Sequence, residues 1–464
     1  MGRSGTGRSR ADRPVAARAA FDSGPAGRPV RGARSRQRGA VYRAQVVLTD
    51  RQVRALPARS EPGAPRHYLR QFDLYRVVAF VGVIGQHSVL WPVPGGSKVG
   101  WSLVMVLHAT RNLFFFLAAL VAVYSQLLRP RSVGALWVRR LGTVLVPYLV
   151  WTLIYFGYSM ATTHAAAPGP TLWHDLYTGY YQLYFLVVLF QIYILLPAIV
   201  WLVRWTRGHH GWVFGISLVL QLLMMTMSHY FRFPYGDWHA VRAIDITLIQ
   251  SRLITGYQLY VIAGALAADH IGEIHRVMER RSALIIWGMA AMFAVTEGYY
   301  AFGLVIGNTP GHASDLYQPV AVLWFLSACY GLWAVGWRWA NRAAARRPTR
   351  FDRFVAWGSD ASGGYYLSHV LVLQLIFSGL QHAGLTGPST WGVAGVVLFA
   401  GTLTGAGILV TVLMRTPLRP ILTGPNRDRQ RATYAPYPPG AVGREPGAGG
   451  EPAAGSPSSD LAPA

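Results

Sequence analysis

Ten apolar runs, each near the length of a bilayer crossing, constrain this chain more than any other feature of it. They fall at about 74–93, 101–128, 141–161, 180–203, 211–230, 247–268, 283–305, 318–339, 363–384 and 391–414. A helix needs about 20 residues to cross the hydrocarbon core. In that core only a helix or a closed barrel satisfies its own backbone. The expected fold class is therefore all-α, a polytopic membrane protein of about ten transmembrane helices. The second run is interrupted by Arg111 and reads as a short outer piece, 101–110, followed by a true span from Asn112. Composition agrees: only 13% of the residues are charged, about half the usual share of a soluble domain.

The polar connections set orientation. Positive charge collects after the second run (Arg129, Arg131, Arg139, Arg140), after the fourth (Arg204, Arg207), after the sixth (Arg276, Arg280, Arg281) and after the eighth (Arg338, Arg342, Arg346, Arg347, Arg350, Arg353). The alternate connections hold Lys98, then none in 162–179, then Arg232 and Arg242, then none in 306–317 or 385–390. Arginine retained on the cytoplasmic side produces this alternation. It places both termini in the cytoplasm, in a multi-pass protein of the cell membrane. The same retention accounts for much of the formal net charge of +24, so nucleic acid is not an expected partner, whereas the lipid bilayer is.

Three regions follow. Residues 1–70 carry sixteen Arg against four acids with no apolar period and read as a disordered tail. Residues 71–420 form the membrane domain. Residues 421–464, rich in Pro, Gly, Ser and Ala, read as a second disordered tail. Cys329 is the only cysteine, which excludes an intramolecular disulfide and a cysteine-based zinc site. No HExxH, GxSxG, P-loop or acidic metal cluster is present, so no metal is expected and hydrolase or ATPase readings lack support.

An ionisable side chain inside a span costs a few kcal/mol and marks a functional candidate. Those candidates are Arg76, His87, Arg111, Glu297 and His369, with His108 beside them. Arg76 sits at the inner mouth of the first span, and His87 lies eleven residues on, about 16 Å along the axis. Eleven residues are about three turns, so both side chains share one face. Glu297, in the outer half of the seventh span near the depth of His87, is expected to orient or charge-balance the imidazole, to pair with Arg111, or simply to sit near the interface. His369 reads most simply as a hydrogen bond between helices.

The stretch DLYRVVAFVGVIGQHS resembles the opening span of the acyltransferase-3 family of membrane O-acyltransferases, whose first helix carries an Arg, ten residues and a His. RNLFFFLAALV, WVRRLGTVLVPYLVW, QLYFLVVLFQIYILLP and GGYYLSHVLVLQ are similar, in order, to later motifs of that family. Ala118 and Ala119 replace a usual Ser-Gly, Arg140 is followed by Thr143 where a second Arg is common, and Gln182 replaces a usual His. The resemblance implies transfer of an acetyl or succinyl group from cytoplasmic acyl-CoA to a hydroxyl of a sugar, polysaccharide or other glycoconjugate. It implies His87 as general base or acyl relay, with Arg76 and Glu297 in the catalytic set. It implies Arg76, Arg139 and Arg140 on the phosphates of CoA. It implies Arg111, Gln182, Tyr184 and His369 on the acceptor or the carbonyl. The competing reading is a transporter or exporter of a glycan or lipid intermediate, which explains ten spans equally well but not the Arg and His on one helix face. A scaffold for other envelope enzymes is a third reading with no specific support.

Overall fold

The structure is a computed structural model and describes residues 66–163, 168–232, 251–424 and 434–436. Most of both expected tails, Arg242 and the first residues of the sixth run lie outside that set. The described chain is helical apart from a short parallel pairing of β1 (Arg66–Tyr68) with β2 (Tyr434–Pro436), inside the segments expected as tails.

Helices follow in order: α1 (Gln71–Leu90), α2 (Lys98–Leu107), α3 (Ala109–Leu128), α4 (Val133–Thr163) and α5 (Pro168–Thr178). Then come a 3₁₀ turn (Tyr181–Leu183), α6 (Tyr184–Trp205), α7 (His210–Arg232), a 3₁₀ turn (Ile254–Tyr257), α8 (Gln258–Asp269) and α9 (Ile271–Val305). Last are α10 (Pro310–Ala313), α11 (Pro319–Ala344), α12 (Arg350–His382), α13 (Trp391–Arg415) and α14 (Arg419–Leu422).

Among the described residues, eight helical stretches are long and apolar enough to cross a membrane. The chain is a multi-pass membrane protein. The first and sixth runs of the sequence are also helices but fall outside those eight, and each has a physical reason. α1 carries Gln71, Asp73, Arg76, Gln86 and His87, and it packs against α3, α11, α12 and α13. A helix walled in by protein can hold polar groups that lipid would not tolerate. α8 spans only 12 residues and packs tightly on α3. A Cβ added to its Gly264 would lie 2.2 Å from the carbonyl oxygen of Phe116, so the backbones meet there as small residues allow. Gly264→Leu is expected to overpack this contact and cost about 1–3 kcal/mol or more, read as a lowered melting midpoint of the detergent-solubilised protein.

Several boundaries differ from the apolar runs for local reasons. The expected break in the second run falls at His108, whose Nδ1 donates to the carbonyl of Val104 at 2.6 Å. The helix of the ninth run, α12, begins at Arg350, well before residue 363, because Thr349 and Asp352 form a capping box, with Arg346 paired to Asp352. A reciprocal cap of this kind satisfies the free amides of the first turn. The Arg276–Arg281 connection is itself helical: α9 runs through it and kinks at Arg281, where φ is −130°.

Contacts fix relative direction. Asp73, Phe80 and His87 of α1, and Trp91 just after it, meet Ser359, Tyr365, His369 and Phe377 of α12 in rising order, so the two helices run parallel. Gly85 faces Phe399 and Gly395 faces the carbonyl of Ser88, so α13 runs antiparallel to α1. Gln71 Nε2 lies 3.1 Å from His275 Nε2, and Gly336 packs on the carbonyl of Gln71. Gly82 meets Thr110 and Tyr75 meets Leu113, so α3 runs antiparallel to α1, and His210 after α6 meets His270 after α8. The Arg-rich connections after α3, α6, α8 and α11 therefore gather at the end of the bundle where α1 begins.

Candidate active site

One stripe of α1 carries the polar groups, since residues three or four apart stack on a helix face. At its first turns, Asp73 accepts from Ser359 Oγ at 2.6 Å, from Arg76 Nη1 at 3.4 Å and from Tyr68. Arg76 Nη1 also lies 3.5 Å from Ser359 Oγ. The Arg76 side chain remains 15% exposed, so this rim keeps a cation open to the outside of the bundle. A second guanidinium, Arg419 of α14, pairs with Asp360 beside it.

Above the rim, Phe80 stacks on Tyr365 with ring centroids 4.5 Å apart. Phe80, Val83, Ile84, Phe114, Tyr365, Tyr366 and His369 line a narrow gap with no room for a water molecule.

Beside the gap two imidazoles face each other. The rings of His87 and His369 lie 5.5 Å apart at 26°, stacked between parallel helices. The Nδ1 of His369 sits 3.0 Å and 2.8 Å from the carbonyl oxygens of Tyr365 and Tyr366. Carbonyls only accept, so Nδ1 carries the proton and Nε2 presents a lone pair. That Nε2 is buried without a hydrogen-bond partner. His87 Nδ1 lies 3.2 Å from the hydroxyl of Tyr181, which accepts from Trp91 Nε1 at 2.9 Å.

The Tyr181 turn is held unusually firmly. Gly179 has φ +79° and Tyr181 φ +33°, a backbone state that a tyrosine adopts only where the surroundings enforce it. A Cβ at Gly179 would meet Tyr184 N at 2.5 Å. Arg252 Nη1 donates to the carbonyls of Thr178 and of Gly179, the latter at 2.8 Å. Tyr180 stacks on Tyr155 at 5.0 Å and accepts from Gln374 Nε2 at 2.8 Å.

The remaining sequence candidates divide. Gln182 is 4% exposed; its backbone carbonyl accepts from Tyr366, while both polar atoms of its side chain are buried without a hydrogen bond. Arg111 donates to Tyr184 Oη at 3.3 Å and lies over the Tyr257 ring at 5.2 Å. Arg252 lies over Tyr184 at 5.4 Å, so that phenol sits between two cations. Glu297 is elsewhere: its Oε2 accepts from Ser102 of α2 at 2.7 Å, and the hydrogen bonds described here for His87 and Arg111 run to tyrosines. Arg139 is exposed on α4, and Arg140 donates to Ser125 Oγ at 3.2 Å and lies over Tyr193 at 5.7 Å.

Sequence reasoning missed Tyr181, Trp91 and Arg252. Trp91 follows His87 by four residues, one turn along the same face, and that spacing was a readable signal. The Gly179-Tyr-Tyr turn before the fourth span was another. It also missed a pair beside the α9–α11 connection, where His229 Nδ1 lies 2.8 Å from Asp315 and the His229 ring stacks on His312 at 4.8 Å.

Residues 69–411 match a family model described as an acyltransferase domain, which covers most of the chain and includes Arg76, His87, Tyr181 and His369. No curated protein and no solved structure matches the chain.

Proposed function

The chain belongs to the acyltransferase-3 family of membrane acyltransferases, and we propose that it moves an acetyl or succinyl group from acyl-CoA to a hydroxyl of a sugar, polysaccharide or other glycoconjugate. The observation that carries this reading is the pair of facing imidazoles, His87 and His369, one of them with a buried, unfilled lone pair. Family membership favours covalent chemistry over transport.

In the proposed orientation the Arg-rich face is cytoplasmic and both termini lie there, as the positive-inside rule requires. Acyl-CoA approaches that face. Arg76 holds a CoA phosphate as a charge-assisted pair, with the exposed Arg139 and half-buried Arg140 adding positive charge around the mouth. The acyl-pantetheine arm then passes the Phe80–Tyr365 stack, whose rings must turn aside, and brings the thioester to His87.

For His87 to act as base, its Nδ1 donates to Tyr181, which already accepts from Trp91. Its Nε2 is then free to take a proton. The acceptor hydroxyl gives that proton to His87 while its oxygen attacks the thioester carbonyl. The C–S bond breaks, and the proton passes to the departing CoA thiolate. The products are the ester and free CoA. The amide of Gln182, next to Tyr181 in the same turn, would stabilise the carbonyl oxygen as charge builds there. Arg111 and Tyr184 would bind the acceptor. Glu297, held by Ser102, supports the α2–α9 contact in this scheme rather than the base.

The test is transfer of radiolabel from acetyl-CoA or succinyl-CoA to a hydroxylated glycan in proteoliposomes of the purified protein. Label should appear in the glycan as an alkali-labile ester. Movement of unmodified glycan across the bilayer with no acyl-CoA consumed would overturn the reading. Within the same assay, Arg76→Ala should raise the KM for acyl-CoA about tenfold or more, the order expected for a charge-assisted hydrogen bond. The KM for acceptor should be little changed. An unaltered KM for acyl-CoA removes Arg76 from the donor site.

A further inference from the structure

We propose that His210, Asp269 and His270 form a binding site for a divalent cation of the zinc class, at the Arg-rich face and apart from the His87–His369 pair. Their ligand atoms, one nitrogen from each ring and a carboxylate oxygen, all lie within 4.8 Å of one another.

Proximity alone would not make a site. The decisive feature is what the other ring nitrogens do. His210 Nε2 lies 2.8 Å from the carbonyl of Val203, and His270 Nδ1 lies 2.7 Å from a carboxylate oxygen of Glu273. A carbonyl and a carboxylate only accept, so each of those nitrogens carries its proton. The two remaining nitrogens, His210 Nδ1 and His270 Nε2, are left with lone pairs, and they point at each other across 2.7 Å. Two lone pairs do not attract, so a positive centre belongs between them, a metal ion or a shared proton.

The outer partners match what metal-binding histidines use. Such a histidine gives its second N–H to a carboxylate or a backbone carbonyl, which fixes the tautomer and raises ligand basicity. Glu273 and Val203 fill these two roles. Asp269 supplies the hard oxygen. Arg207 already donates to both its oxygens, at 2.9 and 3.4 Å, but each oxygen keeps a further lone pair. Two imidazoles and one carboxylate, with water in a fourth place, suit zinc better than calcium or magnesium. Tetrahedral ligands at about 2.05 Å from zinc stand about 3.3 Å apart, so the two nitrogens, now 2.7 Å apart, need separate by only about 0.6 Å.

Access is open from the aqueous face. The His270 side chain is 38% exposed and that of Glu273 63%, while His210 is buried beneath them. The ligands come from two hairpins: His210 opens α7 just after the Gly208 turn (φ +87°), and Asp269 and His270 join α8 to α9. A bound cation would tie these connections together. No sequence motif announces the site, because His210 stands sixty residues from its partners.

The experiment uses full-length protein purified without a polyhistidine tag and stripped with chelator. Zn²⁺ alone is titrated against a fluorescent zinc chelator, and Co²⁺ is added separately to read its visible d–d absorption. The site predicts one tight Zn²⁺ per chain, tetrahedral cobalt bands and a melting midpoint raised by Zn²⁺. His270→Ala, at a half-exposed position, should weaken binding at least 100-fold and abolish the zinc-dependent rise in melting midpoint. Glu273→Gln should weaken binding about tenfold. If the unmodified chain binds Zn²⁺ no more tightly than His270→Ala, a shared proton occupies the gap and the proposal is wrong.

Discussion

His87→Ala is expected to lower acyl transfer by about 10²–10⁴-fold, the usual worth of a positioned general base, while the protein still folds and inserts. His87 is half-buried and is held by a single hydrogen bond, to Tyr181. The packing around it rests on neighbours that the substitution leaves alone, such as Phe80, Ile84 and Tyr365 in a shared apolar cluster. The melting midpoint should therefore move little. The loss should appear in kcat, because the hydroxyl's proton is taken only as the transition state forms. Turnover within a few-fold of the unmodified enzyme would remove His87 from the chemistry.

His369→Gln is the second large effect, about 10²-fold in kcat. Its Nε2 lone pair is buried, unfilled and fixed by two carbonyls beneath the other ring nitrogen. A glutamine keeps roughly the volume but sets an amide in place of the Nε2 lone pair to which the acceptor hydroxyl would donate. A purely structural His369 would tolerate that exchange, with kcat preserved. Tyr181→Phe should be milder, about tenfold, because Trp91 and the rigid turn still position the ring while only the hydrogen bond to His87 is lost. Equal losses in all three variants would point to a general collapse of the site, which the melting midpoint would reveal.

The fold was legible because lipid imposes a simple code. Apolar length marks each crossing, and arginine parity orders the connections. Even the break near Arg111 could be read, since a charged residue cannot sit mid-span without a reason. What composition could not show was where polarity hides behind protein. α1 falls outside the eight lipid-like stretches, yet α11, α12 and α13 pack around it and cover its polar stripe. The site was only half legible for a related reason. Arg76 and His87 share one helix, so periodicity alone joined them. His87 and His369 stand 282 residues apart and meet only because α1 and α12 run parallel. Glu297 was placed near His87 by depth alone, but depth does not fix direction around a helix, and its side chain turns to Ser102.

The central claim is that the His87–His369 pair is where the acyl group changes hands. A structure determined with a non-transferable thioether analogue of acyl-CoA tests it most directly. The nucleotide is expected at the Arg76 face and the carbonyl carbon within about 5 Å of a ring nitrogen of His87, which leaves the acceptor oxygen about 3 Å from both. An analogue bound with its acyl end away from both imidazoles, or entering from the opposite face, would contradict it.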